Sequence, residues 1–401
     1  MNQQGRERDN DLVLIVDGYD IWFQLPASVL IKRYWKVIRQ ARKRIQTEIG
    51  SKAMRAGDIG QHIVVSAQKS CWPLGRHSPA CWVVPESPLP HDIYGKYTDQ
   101  RVNQVPANGK FRSRYLNSGV MMGDLKHMRL LFERVKVKMA EDPKSGSDQR
   151  AFAVVFGEQE YRRAEDREDH RGRWQEIEKW FGWGSKTSTL DPPPKFEKPV
   201  LREGVNYEFG ITLDYEAQLG HAMHNGERDG AWITFNSTRS IQIARNKLKL
   251  SAKNEVSLPS DLEVLDQKPS LNDGSRESYL GQTTWNDASL YTDLYTSVVP
   301  AMVHMNGFEN KHLTRDAWDR NWFQPHARSL LNSYVESDGD GPIAMSVEGG
   351  RNIEWFGVEK DRSVIRTFGR NGDGTVGWKE MLDGYEDEIF RDGGGKWEMP
   401  T

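Results

Sequence analysis

Cysteine is almost absent. The 401 residues contain two, Cys71 and Cys81. They could close a small loop in an oxidising compartment or stand as two free thiols. With no Cys-x-x-Cys and no Cys/His zinc spacing, a structural zinc site is not expected. An excess of one charge is missing too: the formal net charge is −2, so nothing draws the chain to nucleic acid in bulk. No apolar run reaches the length of about 18 residues that spans a bilayer. Residues Met1 to Asn10 are polar and lack the apolar stretch of a signal peptide, so no targeting signal is expected and, taken literally, the chain is cytosolic.

Tryptophan, by contrast, is plentiful, with 14 residues. Aromatic surfaces occur in sugar-handling proteins, but tryptophan also fills ordinary cores. The hydrophobic fraction of 37% suits a core that carries long polar insertions, and the length allows one large or two ordinary domains.

The most informative stretch is Leu12-Val13-Leu14-Ile15-Val16 followed by Asp17-Gly18-Tyr19-Asp20. An aliphatic run that stops at an acidic, glycine-containing turn reads as a buried strand delivering its last residues to a pocket. Two carboxylates three apart can converge on one hard cation, and open α/β sheets bind ligands beyond the carboxyl ends of their strands. The competing reading is a solvated Asp-Gly turn. Ala27 to Ile49 carries apolar residues at helical spacing among many Lys and Arg, which predicts an amphipathic surface helix. His62 to Ala67 reads as a second strand leading into Cys71-Trp72-Pro73, where Trp72 either stacks on a sugar or base or fills a core at a turn. Leu74 to Lys110 reads as a long loop.

Asn117-Ser118-Gly119, inside apolar flanks, suggests a kink where the backbone passes close to a ligand. Asp124 is a plausible N-cap for a helix running to about Ala140. Ser147-Asp148-Gln149 opens another helix, with Asp148 either a plain cap or an acid aimed into a cleft. Short strands are expected at 209–214 and 231–235. The run Val298 to Val303 ends in His304-Met305-Asn306-Gly307, which can present an imidazole to a metal and bare backbone to a phosphate, with Lys311 close behind. The alternative is a structural histidine. Near the end, Gly369 to Glu380 matches several positions of an EF-hand calcium loop but has Gly369 where the first acidic ligand belongs. Asn236-Ser237-Thr238 is a glycosylation sequon, meaningful in a lumenal chain.

Taken in order, these pieces resemble the glycosyltransferase domain of the procollagen lysyl hydroxylase/glycosyltransferase proteins and related collagen-type sugar transferases. The residues that carry the resemblance are Asp17-Gly18-Tyr19-Asp20, Ser66-Ala67 with Cys71-Trp72-Pro73, Tyr115 to Gly119 with Gly123, Asp148-Gln149, Leu213-Asp214, and His304-x-Asn306-Gly307 with Lys311. It implies an α/β, GT-A-like (Rossmann-like) mixed sheet flanked by helices over residues 1–330, with long insertions at about 157–204 and 240–290, and a separate appendage at 331–401. It also implies that usual first βα units are missing, so that the chain is N-terminally incomplete. A full-length parent would then lie in the ER or Golgi lumen, tied to the membrane only by an N-terminal anchor.

By the same resemblance, Mn²⁺ is the metal and a UDP-sugar the donor, with a protein or glycan as acceptor. Asp17, Asp20 and His304 would bind the metal, and Gly307 and Lys311 would sit at the diphosphate. Trp72, Asn117 and Asp148 would line the sugar and acceptor side, with Asp148 the candidate general base or a stabiliser of oxocarbenium-like charge. Where the family has an acid, this chain has Gln68. The alternative function is a catalytically inactive GT-A-like binding or scaffold module.

Overall fold

A computed structural model describes residues 8–100, 109–143, 146–169, 195–250, 255–263, 284–307, 313–336, 342–348, 351–357, 361–369 and 372–400. The elements run β1 (Leu12–Val16), β2 (Ile21–Phe23), α1 (Ala27–Ala56), β3 (Ile63–Gln68), α2 (Pro79–Trp82), β4 (Tyr115–Asp124), α3 (Leu125–Glu141), α4 (Asp148–Asp169), β5 (Ile211–Asp214), β6 (Gly220–Ala222), β7 (Gly230–Ile233), α5 (Thr238–Leu248) and α6 (Ser260–Glu263). They continue through β8 (Leu290–Asp293), β9 (Met302–His304), α7 (Leu313–Arg320), α8 (Ala327–Glu336), β10 (Pro342–Glu348), β11 (Arg351–Phe356), β12 (Val364–Gly369), β13 (Gly372–Gly377), α9 (Trp378–Leu382) and α10 (Glu386–Ile389). The architecture is mixed α/β, with small sheets and flanking helices.

Two compact units result. The first comprises Met1–Ile21, Arg33–Asp229 and Pro300–Lys311; the second comprises Trp22–Lys32, Gly230–Val299 and His312–Thr401. This partition runs differently from the expected boundary at residue 330. β7, α5 and β8 fall in the second unit, where they have a core of their own.

The first unit is built on a four-stranded sheet in the order β1-β4-β3-β5. β4 runs antiparallel to both β1 and β3, while β3 and β5 are parallel. β1 is therefore an edge strand and only half-buried, not the buried strand its aliphatic run suggested. β3 is buried at every position, as the unbroken run Ile63-Val64-Val65 requires. Met128, Leu131 and Val135 of α3, with Phe152, Val155 and Phe156 of α4, close over Ile63, Val65, Met121 and Ile211. Each such side chain contributes roughly 1.5–3 kcal/mol on burial. Asp124 caps α3 as expected, its carboxylate accepting from the His127 N–H. α1 loses helical geometry at Gly50, where φ is +83°, a conformation that glycine adopts without penalty.

In the second unit β7 and β8 form an antiparallel pair covered by α5, with Ile233, Ala244 and Leu294 at the centre. A further cluster gathers Trp318, Ala327, Leu331, Leu382, Phe390 and Trp397. Buried indoles find partners here: Trp318 donates to the Ile389 carbonyl and Trp397 to Asn332. Among the described tryptophans, Trp285 and Trp397 are buried.

The described residues of the stretch Gly369 to Glu380 do not form a loop between helices. β12 and β13 pair antiparallel from Val364↔Gly377 to Gly369↔Gly372, and only the short α9 follows. An EF-hand loop must wrap its backbone round the ion. A backbone committed to a ladder cannot, so the calcium reading is dropped.

β5 ends in Asp214, a buried carboxylate that accepts the backbone N–H groups of Gln218 and Leu219. Burial pushes its pKa up from 3.8 to about 6, against those hydrogen bonds. A carboxyl raised on folding stabilises the native state below its unfolded pKa and loses that contribution as pH rises through the folded value. Wild type minus Asp214→Asn unfolding free energy, from urea denaturation, should therefore fall between pH 4 and pH 7, by on the order of 2–3 kcal/mol. A difference that rises over that range would refute the assignment.

Candidate functional site

Three segments of the first unit meet at the open end of β1. Asp17 follows β1, and its N–H donates to the Gly119 carbonyl of β4 at 2.9 Å. The Asp20 carbonyl accepts from the Met305 N–H at 2.7 Å, which ties the acidic turn to the segment leaving β9. β9 itself pairs in parallel with β6, Ala222 opposite His304. These backbone bonds place His304 Nε2 3.1 Å from Asp17 Oδ2 and 3.4 Å from Asp20 Oδ1. Asp20 and His304 are buried, while Asp17 is half-exposed.

The kink expected at Asn117-Ser118-Gly119 is a bulge. The register between β3 and β4 jumps from Val65↔Met121 to Ser66↔Asn117. The bulge carries Gly119 against the site so closely that a Cβ there would lie 2.1 Å from His304 Cε1 and 2.8 Å from Asp17 Oδ2. Only glycine leaves room for the imidazole.

Asn117 fixes which nitrogen of His304 carries the proton. Its Oδ1 accepts from the Gly119 N–H at 3.2 Å and its Nδ2 donates to Gln68 Oε1 at 3.0 Å, so the orientation of the amide is determined. That same Oδ1 lies 3.2 Å from His304 Nδ1, which must be the N–H. In the neutral ring Nε2 then holds a lone pair directed toward two carboxylates. Among the described residues Nε2 has no aligned hydrogen bond, although both oxygens are near. A lone pair facing anionic oxygens is repulsive, and only a positive species between them relieves it. That species is either a proton on Nε2 or a cation. Two carboxylate oxygens and one imidazole nitrogen form a donor set suited to a divalent ion, and Asp17, Asp20 and His304 can contribute one ligand atom each.

The other expected residues are placed as follows. Trp72 is 59% exposed, which distinguishes it from the other described tryptophans. It lies in the loop closed by a Cys71–Cys81 disulfide. Its carbonyl accepts from Gln68 and Gln149, 3.4 Å from each amide nitrogen. Asn117 is buried and its polar atoms are committed to His304, Gly119 and Gln68; it acts on the imidazole rather than lining the sugar side. Asp148 is exposed at the start of α4, where its carboxylate accepts the Gln149 N–H. Its neighbour Gln149 turns inward, accepting from Ser118 N–H and donating to the Leu116 carbonyl. Gly307 has φ +92°. Lys311 lies outside the described residues. A separate cleft of about 430 Å³, lined by Val37, Arg44, Asp214 and Tyr215 among others, includes none of the three candidate ligands.

Burial disfavours the charged form of His304, but Asp17 and Asp20 facing it prevail and raise its pKa above 6.5. In metal-free protein, Asp20→Asn removes one of the two carboxylates and leaves the burial. The His304 titration midpoint, followed by NMR of the ring protons, should drop toward or below 6.5. An unchanged midpoint would mean that the carboxylates do not hold the imidazole.

No protein-family model and no curated protein matches the chain.

Proposed function

We propose that this chain is a metal-dependent glycosyltransferase of GT-A-like architecture, moving a hexose from a UDP-sugar to a protein or glycan acceptor. The observation that carries the proposal is the convergence of Asp17, Asp20 and His304, with Asn117 holding His304 in the tautomer whose Nε2 can accept a cation. Mn²⁺ held by these three side chains would act as a Lewis acid for the leaving nucleoside diphosphate, whose charge grows as the sugar departs.

The remaining groups have roles that fit that chemistry. Asp17, the half-exposed ligand, faces the donor side. Gly307, in a conformation free of a Cβ, offers bare backbone to the diphosphate, and Lys311 would add a point charge. Trp72 presents an indole face for stacking on a sugar. Asp148, exposed and fixed at its helix start, is available to take the acceptor's proton. The Cys71–Cys81 disulfide favours an oxidising compartment, in keeping with an ER or Golgi lumen for the parent protein.

A second reading, an inactive binding or scaffold module, draws on Gln68. The family that the sequence resembles has an acid there, whereas here an amide is bonded to Asn117.

The test is UDP release from UDP-hexoses with Mn²⁺. Asp17→Ala with Asp20→Ala should abolish turnover, and Asn117→Ala should weaken Mn²⁺ binding by about 10–100-fold, as loss of a partner behind a ligating histidine does elsewhere. Turnover that survives the double substitution sinks the metal assignment. Calorimetry separates the two readings: no heat with UDP and Mn²⁺ at millimolar concentration favours the scaffold.

A further inference from the structure

His62, Asp124 and His127 form a second cluster in the first unit, built without any residue of the candidate site. Two local rules assemble it. Ile63 pairs with Gly123 across β3 and β4, so the next residues outward, His62 and Asp124, are neighbours at the end of the sheet. Asp124 then caps α3, and His127 stands three residues on, over the same turn. His62 Nδ1 lies 3.1 Å from one Asp124 oxygen and His127 Nδ1 lies 2.6 Å from the other. The two imidazoles stack with centroids 3.5 Å apart and planes 10° apart.

The cluster is held rigidly and remains reachable. The His62 N–H donates to the Gly210 carbonyl and its own carbonyl accepts the Tyr34 hydroxyl, both at 2.8 Å. Glycine backbone closes one edge of the ring: a Cβ on Gly60 would fall 2.3 Å from His62 Nε2, and one on Gly210 would fall 2.8 Å from Cδ2. Nε2 is thereby turned to backbone and Nδ1 to Asp124. All three side chains are partly exposed.

A hydrogen-bonded carboxylate cap accounts for one histidine, since His127 lies in the turn that Asp124 caps. It gives no reason for a second imidazole, brought from another strand and stacked on the first, to aim the same nitrogen at the same carboxylate. The three ligand atoms all lie within 4.8 Å of one another. A tetrahedral ion with bonds of about 2.0–2.1 Å needs ligand–ligand edges of about 3.3 Å, so the shorter His127–Asp124 spacing of 2.6 Å has to open and the two stacked rings have to turn apart until the ion lies in the plane of each.

We propose that His62 Nδ1, His127 Nδ1 and the Asp124 carboxylate bind a borderline divalent transition ion, zinc in the first instance, with a fourth position left to solvent. Two imidazoles and one carboxylate select against hard ions such as Mn²⁺, whereas the two carboxylates of the other site favour them. The scarcity of cysteine, which argued against zinc, has no bearing on a site made of imidazole and carboxylate.

The untagged full chain carrying Asp17→Ala and Asp20→Ala, so that the first site is disabled, is titrated with Zn²⁺ by calorimetry. One equivalent should bind, and His62→Gln or His127→Gln in the same background should weaken binding at least 100-fold. Zn²⁺ should raise the melting temperature of the parent and of neither histidine variant. Co²⁺ should give the parent, and equally the wild type, the visible absorption of a four-coordinate ion. That second readout decides the matter should a histidine variant fold poorly. Absence of stoichiometric Zn²⁺ uptake and of the Co²⁺ band, or uptake that both glutamine variants leave unchanged, would overturn the proposal and leave the cluster a helix cap alone.

Discussion

The candidate site depends on one electrostatic demand: His304 Nε2 faces two carboxylates in a largely buried setting, and a proton or a cation has to stand between them. Buried like-signed groups are tolerated only when something of opposite sign joins them. The surrounding structure enforces the demand instead of relaxing it. The Asn117 amide cannot turn without breaking its bonds to Gly119 and Gln68. Asp17 and Asp20 are each tied through their backbone to a neighbouring strand or strand end. The bulge in β4 delivers a residue without a Cβ where any other would push the ring away.

That arrangement explains why small irregularities of the sheet matter more than its regular part. β3, β4 and β5, with the helices over them, provide a stiff aliphatic slab. The polar groups with chemical potential sit where ladders end or slip: after β1, at the bulge, after β9 and at the β3–β4 end. A strand terminus frees side chains from the alternation of a packed face while the ladder still fixes the backbone, which is what a preorganised site requires.

Legibility in the sequence followed the range of the interactions involved. The helix from Ala27, the cap at Asp124 and the aliphatic strands were readable because their determinants lie within a few residues. Asp17 and His304 were legible as candidates because each follows an aliphatic run, a pattern that marks strand ends, and Asp20 because it stands three residues after Asp17 on the same turn. The His62–Asp124–His127 cluster was missed because its first contact depends on cross-strand register, which no local pattern encodes. Half of it was visible as a histidine three residues after a capping aspartate. Asn117 reads in one dimension as ligand-facing, since a bulge that buries its amide behind an imidazole has the same local pattern as one that exposes it. Gly369 to Glu380 misled because Asn, Asp and Gly serve tight hairpins as well as calcium loops.

The covalent loop from Cys71 to Cys81 encloses Trp72, an indole more than half in water. An aromatic ring on an open loop would have to be immobilised each time a partner settled on it. Cross-linking the loop's ends, with the Trp72 carbonyl also anchored to two glutamine side chains, removes most of that ordering before any encounter. Reduction would therefore leave the indole as apolar as before while returning to the loop the conformational freedom that the cross-link removes.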